Sequence, residues 1–116
     1  MIHQIVAELA DHLAAQNGND YVITTSEWRE LIAQKGINPE SAYPTDYCYN
    51  RVNDGIINDG IIDPERPAVF EYIGRGRFYC RGRGYSYSGL IFQRPKGAKK
   101  DEVVGCCKNG IRTLYK

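Results

Sequence analysis

The spacing of the apolar residues changes along this chain, and the change restricts the possible fold class. In the first third, apolar residues repeat at helical spacing in two groups: Ile2, Ile5, Val6, Leu9 and Leu13, then Trp28, Leu31 and Ile32. After Pro67 the pattern is typical of short strands separated by turns rich in glycine. Helices followed by strands in this way predict the α+β class.

Local signals mark the ends of the first two helices. Asn17-Gly18-Asn19 closes the first helix, and the short β-branched run at residues 21–24 predicts a small strand. Thr24 and Glu27 have the spacing of a capping box, which predicts the start of a second helix that ends near Gly36. The opening of the chain therefore predicts helix, strand, helix.

Residues 43–55 predict a third, short helix. Pro44 resists being inside a helix and Gly55 can end one, so the two bound the element. Cys48 and Val52, four residues apart, are the obvious inward positions. The opposite face carries polar and aromatic residues: Asp46, Tyr49, Asn50 and Asn53. Three helices in this order predict a winged helix-turn-helix-like fold, with the third helix presented to a partner.

A hairpin follows where a winged helix carries its wing. Residues 68–73 and 77–81 are strand-like and flank Gly74-Arg75-Gly76, whose glycines give the turn its backbone freedom. The link at 56–62 between the third helix and this hairpin predicts either a tight β-turn or an extra half-turn of helix. We expect Arg75 and Arg77 at the tip of the wing.

The last third of the chain predicts further antiparallel strands. A strand at 85–94 precedes a charged loop, and Asn109-Gly110 is a strong signal for a two-residue hairpin turn. We interpret residues 1–116 as a single winged-helix-like domain, to which residues 95–116 add a loop and a β-hairpin.

The charges are nearly balanced in number but unevenly distributed. Residues 1–58 hold three basic and eight acidic side chains, whereas residues 59–116 hold twelve basic and six acidic ones. This asymmetry is typical either of a basic surface that meets an acidic partner or of an ordinary solvated face.

Features of compartment and chemistry point to a cytoplasmic, non-catalytic protein. Acidic residues Glu8 and Asp11 interrupt the first apolar run, so it predicts neither a secretory signal nor a membrane span. The four cysteines lack paired ligand spacing, which predicts reduced, mostly buried thiols and no metal site. No nucleotide-binding loop, nucleophile elbow or zinc-protease motif is present, and no histidine follows His12. We therefore expect no cofactor and no enzymatic activity.

Three stretches carry a resemblance to a known module: residues 43–51 (Tyr-Pro-Thr-Asp-Tyr-Cys-Tyr-Asn-Arg), 70–78 (Phe-Glu-Tyr-Ile-Gly-Arg-Gly-Arg-Phe) and 87–89 (Tyr-Ser-Gly). Over roughly residues 1–94 the chain resembles the winged-helix-like module on the amino-terminal side of HNH-type and modification-dependent restriction endonucleases, which also occurs in free-standing phage and bacterial proteins. The resemblance implies a DNA-associated, non-catalytic domain. The nuclease half, with its His-Asn-His cluster, has no counterpart in this sequence.

Duplex DNA is the first partner that we expect, bound weakly and with strong salt dependence. The third helix would enter the major groove, where Asn50 and Asn53 can read adenine and Arg51 can read guanine or a phosphate, while the Arg75 and Arg77 wing reaches the backbone. The expected binding residues are Thr45, Tyr49, Asn50, Arg51, Asn53, Arg75, Arg77, Arg81 and Arg83. In the structural alternative, the tyrosines pack over the sheet and the asparagines cap turns.

A second hypothesis makes the chain a protein-interaction module. Nine tyrosines and a near-neutral total charge suit a protein interface. A small phage product of this kind would inhibit a host defence complex, as an anti-CRISPR or anti-restriction protein, by occupying its nucleic-acid site. The acidic amino-terminal half could then mimic phosphate.

Overall fold

The helices and strands form one helical layer and two small sheets. A computed structural model describes residues 2–18, 20–52, 66–94 and 97–115. The elements are α1 (Ile2–Asn17), β1 (Val22–Thr24), α2 (Thr25–Gln34), β2 (Phe70–Gly74), β3 (Arg77–Cys80), β4 (Gly89–Gln93), β5 (Glu102–Lys108) and β6 (Ile111–Leu114). Single 3₁₀ turns at Pro39–Ser41 and Pro44–Tyr47 lie between α2 and β2.

Both sheets are three-stranded and antiparallel. The amino-terminal sheet has the order β1-β3-β2 and the carboxy-terminal sheet the order β4-β5-β6. Residues 95–116, predicted as an addition to the domain, thus include two of the three strands of the carboxy-terminal sheet. No helix among the described residues is long and apolar enough to cross a membrane.

The helical layer covers one face of the amino-terminal sheet. Trp28 on α2 is fully buried, meets the Phe70 ring edge-on at 4.8 Å and donates its indole N–H to the carbonyl oxygen of Ala42 at 2.8 Å. Because the one polar atom of this large side chain is satisfied, its burial is almost purely favourable. The same cluster includes Val6, Ala10, Ile23, Ile32, Phe78 and Cys80. A smaller cluster under the carboxy-terminal sheet holds Tyr49, Val52, Ile91 and Cys107.

The local predictions for α1 and α2 are confirmed. α1 ends at Asn17, and Gly18 follows with a positive φ of 88° and donates its N–H to the carbonyl oxygen of Ala14. At the start of α2, Glu27 N–H donates to the Thr24 hydroxyl at 3.1 Å, and Thr24 N–H donates to the Glu27 carboxylate at 3.0 Å. The predicted hairpins at Arg75-Gly76 and Asn109-Gly110 are also present.

The predicted winged helix-turn-helix-like fold is wrong, because the third helix does not form. Only Pro44–Tyr47 makes a single 3₁₀ turn, and Cys48 is already extended, with φ −96° and ψ 146°. Tyr47, Cys48 and Tyr49 are consecutive and all buried. A strand between two layers can bury consecutive residues in this way, whereas a surface helix buries only one stripe.

Residues 48–52, which we call the connector, pair with both sheets instead. Tyr49 N–H donates to the Phe70 carbonyl oxygen at 2.8 Å, which joins the connector to β2. Val52 N–H donates to the Phe92 carbonyl oxygen at 3.1 Å, and Phe92 N–H donates to that of Asn50 at 2.9 Å, which joins it to β4. Both pairings are parallel. The connector therefore satisfies the open edges of two sheets, a gain that a short helix without an apolar stripe could not match.

Two sequence expectations lie outside the described residues. Asn53, expected to read adenine, and the link at 56–62, expected to be a turn or half a turn of helix, both belong to the range 53–65.

Candidate functional site

The direction of the connector brings two basic loops to one end of the molecule. Since β2 and β4 both run parallel to the connector, both leave it in the same direction. β2 leads into the Arg75-Gly76 turn, and β4 leads into the loop before β5. We call the cations carried there the basic end: Arg75, Arg77, Arg94, Lys99 and Lys100.

The side chains of the basic end are exposed. Within the described part of the chain, no ion pair engages Arg75, Arg77, Lys99 or Lys100. Arg94 pairs with Asp101 at 3.0 Å yet keeps 52% of its side chain exposed. Unpaired positive charge is therefore present on both loops at this end of the molecule.

Arg51 and Asp101 anchor the second of these loops to the connector. Both terminal nitrogens of Arg51 donate to the two Asp101 oxygens at 3.2 Å, a bidentate arrangement. The Arg51 guanidinium also lies 4.2 Å from the centre of the Tyr72 ring. Hydrogen bonds from Arg51 lower the pKa of Asp101 below its usual value. The Arg51 side chain is thus only 12% exposed, and its positive charge is paired with Asp101 within the fold.

Arg81 has a structural role. Its guanidinium lies between two aromatic rings, 4.2 Å from the centre of Tyr79 and 4.5 Å from that of Tyr85. It also donates to Glu71 at 3.0 Å and to Asp20 at 2.7 Å. With 9% of the side chain exposed, Arg81 offers little surface to a ligand.

Arg83 holds the loop after β3 against α1. Its backbone N–H and its Nε both donate to the carboxylate of Asp11, each at 2.7 Å. Gly82, next to it, approaches α1 so closely that a Cβ there would lie 3.1 Å from an Asp11 oxygen. The Arg83 side chain is 52% exposed, but its charge is matched by Asp11.

The connector residues that were expected to face a partner are occupied internally. Tyr49 is buried, donates its hydroxyl to the Gly82 carbonyl oxygen at 2.8 Å and has a pKa raised by burial. The Asn50 amide bonds both backbone groups of Tyr72. Thr45 is half-buried in the 3₁₀ turn. Tyr49 therefore packs within the fold, as the structural alternative has it, whereas Asn50 pairs with a strand backbone and does not cap a turn.

Sequence reasoning found part of the basic end and missed the rest. Arg75 and Arg77 were expected at a hairpin tip, and they are there. Lys99 and Lys100 were read only as part of a charged loop, because nothing local shows that this loop lies at the same end as the tip. The sequence feature that could have pointed to them is the density of cations between two strands. The position of that loop beside the hairpin tip, however, depends on the pairing of the connector with both sheets.

The four cysteines are free and largely buried. Cys48, Cys80 and Cys107 are buried and Cys106 is half-buried, and all four are free. Burial raises the pKa of Cys48 and raises that of Cys80 to about 12, so both remain protonated at neutral pH and are poor nucleophiles. Across the described ranges, no group of three or more metal-ligating side chains converges.

Fold and surface define a small two-sheet domain with a helical layer and a basic end. The chain belongs to the family described as "Domain of unknown function (DUF7225)", whose profile matches residues 3–114. It is also similar to "Uncharacterized protein YnaC" of Bacillus subtilis (strain 168), with 34% identity over 102 residues. That match covers 87% of this chain and 36% of the relative, so the chain spans little more than a third of the relative's length.

No solved structure matches the chain significantly. Neither the family description nor the relative tests the resemblance to restriction-associated modules, which stays a prediction.

Proposed function

We propose that this chain is a non-catalytic, cytoplasmic domain that binds the phosphate backbone of duplex DNA through its basic end. The observation that carries the proposal is the convergence of Arg75, Arg77, Lys99 and Lys100, exposed and without ion pairs in the described structure, from two loops. Other arginines, such as Arg81 and Arg83, are matched by carboxylates. The basic end thus groups four exposed cations that no described carboxylate pairs with, which supports contact with an acidic partner.

The chemistry of these groups favours phosphate over base contacts. Arginine and lysine side chains on short turns can reach phosphate oxygens, but phosphate contacts carry no sequence information. Among the described residues of the expected major-groove helix, only Pro44–Tyr47 forms a 3₁₀ turn, so the element expected to read base edges is missing there. We therefore expect binding with little sequence preference.

The aromatic residues near the basic end favour a duplex over a single strand. Single-strand binders expose rings on which unpaired bases stack. Here the Tyr72 and Tyr79 rings, on the strands that join the Arg75-Gly76 turn, are each covered by an arginine: Arg51 at 4.2 Å and Arg81 at 4.2 Å. These two rings are therefore not free for stacking, which suits contact with a duplex backbone.

Salt-dependent binding of a labelled duplex tests the proposal. Each neutralised phosphate contributes about −0.9 to the slope of log affinity against log salt, so Arg75→Ala/Arg77→Ala should make the slope shallower by about 1.8. Lys99→Ala/Lys100→Ala should have the same effect. Fluorescence anisotropy at several salt concentrations measures both slopes.

Lys35→Ala is the matched control. α2 begins beside the hairpin turn, where Thr25 N–H donates to the Gly76 carbonyl oxygen. Lys35 follows ten residues later, about 15 Å further along the helix, and it is exposed. Its removal should leave the slope unchanged. Affinity that is independent of salt, or an equal effect of Lys35→Ala and Arg75→Ala, would contradict binding at the basic end.

A second candidate is the protein-interaction module that inhibits a host defence complex. The observation that favours it is a groove of about 360 Å³ between α1 and α2, whose lining combines the apolar Leu13, Tyr21 and Leu31 with the acidic Glu27 and Glu30. Such a groove suits a cationic segment of a nucleic-acid-binding protein. This candidate predicts that the chain inhibits a defence nuclease without itself binding DNA. Glu30→Lys should abolish that inhibition.

A further inference from the structure

The strand β6 forms an edge of the carboxy-terminal sheet. It pairs with β5 on one side, and no strand among the described residues pairs with its other side. Tyr115 N–H donates to the Val104 carbonyl oxygen, so Tyr115 directs its backbone toward β5. Because backbone direction alternates along a strand, the N–H and C=O groups of Arg112 and Leu114 point to the open side.

β6 is a short edge strand with no proline, no bulge and no charged side chain on its exposed face. Natural edge strands are often blocked by a charged side chain, a proline or a bulge. The pairing of β5 with β6 is regular over Gly105–Lys108, and β6 contains no proline. Its one charged side chain, Arg112, is turned inward, where it donates to the carbonyl oxygens of Cys48 at 3.3 Å and Arg66 at 2.7 Å.

We infer that β6 pairs antiparallel with β6 of a second copy of this chain, with Thr113 at the two-fold axis. In that register Ile111 lies opposite Tyr115 of the second copy, and Thr113 lies opposite Thr113. A β-branched residue against an aromatic one, and threonine against threonine, are favourable cross-strand pairs. Ile111 is 72% exposed and Tyr115 57% exposed, so dimerisation would bury part of both apolar side chains. The sequence of this edge is therefore complementary to itself.

Charge does not oppose the pairing. Lys108 is the basic residue nearest the edge on the same face, directly beside Ile111. The two Ile111 residues are offset by four positions along the paired strands, about 14 Å. That separation exceeds the screening length of about 8 Å at physiological salt. The two Lys108 side chains therefore repel each other little.

The pairing has a consequence for DNA binding that rests on the proposed function. β6 runs parallel to β4, so its carboxyl end points toward the basic end. A two-fold axis through Thr113 then places the two basic ends at opposite ends of the dimer. One dimer would hold two duplex segments, whereas self-association itself needs no DNA.

Cysteine cross-linking tests the register. Residues that face each other in a non-hydrogen-bonded antiparallel pair have Cα atoms about 4.5 Å apart, within the span of a disulfide. In a Cys106→Ser background, Thr113→Cys should form a covalent dimer rapidly under mild oxidation. Ile111→Cys, on the same strand and more exposed, is the matched control, and it should cross-link slowly because its counterpart is far away.

Sedimentation equilibrium of the unmodified chain gives the second readout. Self-association should be present in wild type, retained in Thr113→Val and lost in Thr113→Lys, which places two like charges face to face. Thermal unfolding of each variant shows that the monomer remains folded. Wild type that is monomeric up to about 1 mM protein, or Ile111→Cys that cross-links as fast as Thr113→Cys, would overturn the inference. These outcomes do not depend on whether the basic end binds DNA.

Discussion

Asn50 shows how a residue that suits DNA recognition can serve the fold instead. Its side-chain amide donates to the Tyr72 carbonyl oxygen at 2.9 Å and accepts from the Tyr72 N–H at 2.8 Å. A side-chain amide has the same donor and acceptor as a peptide group, so Asn50 acts as one more unit of strand against the open edge of β2. The side-chain amide that could bond an adenine base therefore bonds the backbone of Tyr72 instead.

We predict that Asn50→Ala lowers the free energy of unfolding by about 1–3 kcal/mol, because both half-buried Tyr72 groups lose their partner. Urea denaturation measures the change. Arg75→Ala is the control, and its exposed side chain should contribute no more than about 0.5 kcal/mol. If Asn50→Ala were as stable as wild type and failed to bind DNA, the residue would be a recognition residue after all.

At the scale of elements, the contact between β5 and β6 depends on the absence of a side chain at Gly105. A Cβ at this position would overlap the backbone carbonyl oxygen of Thr113 on β6. Backbone in the middle of a sheet cannot move aside without breaking its ladder. Gly105 is therefore required by close approach and not by an unusual φ.

Gly105→Ala should accordingly destabilise the protein by about 3 kcal/mol, at the upper end of the usual cost of overpacking. Gly89→Ala on the neighbouring β4 is the matched comparison. Its Cβ would meet the side chain of Tyr87, at 2.6 Å from the hydroxyl oxygen, and a side chain can rotate away. We expect Gly89→Ala to lose less free energy of unfolding than Gly105→Ala in the same denaturation experiment. Equal losses would show that the backbone of β5 and β6 can adjust to the added methyl group.

At the scale of the whole molecule, ion pairs within the fold neutralise part of the uneven charge seen along the sequence. Acidic residues of the first half meet arginines of the second: Asp11 binds Arg83, and Asp20 binds Arg81. These pairs hold the loop after β3 against the helical layer. At the basic end, four cations have no such carboxylate partner in the described part of the chain: Arg75, Arg77, Lys99 and Lys100.

Asp101 links the carboxy-terminal loop to the connector, and this link should be sensitive to acid. Its pKa in the folded protein lies below the ordinary value of 3.8, so folding favours the charged form. The stabilisation is therefore complete above that value and is lost as the pH falls through the lowered pKa.

Asp101→Asn should lower the free energy of unfolding at neutral pH by less than about 1 kcal/mol, as for other partly exposed ion pairs. The difference from wild type should shrink below about pH 4. Urea titrations at neutral and acidic pH compare the two proteins. A difference that grows on acidification would mean that the carboxylate is not the group that stabilises the link.

How much could be predicted from the sequence differs between elements for a physical reason. The capping box at Thr24 and Glu27, the end of α1 at Gly18 and the turn at Asn109-Gly110 each depend on contacts within a few residues. Such contacts form regardless of the remainder of the chain, so local patterns predict them. The burial of Trp28 also follows from its place on an apolar stripe.

The connector was decided by tertiary structure alone. Its local pattern allows a short helix, but its partners are β2, some twenty residues later in the chain, and β4, some forty residues later. Pairing with the two sheet edges also buries residues 47–49, whereas a short helix without tertiary support is marginal, so the distant contacts override the local preference. Arg75 was recognisable in the sequence as a basic turn residue, but only the parallel pairing of the connector places it at the same end as Lys99 and Lys100.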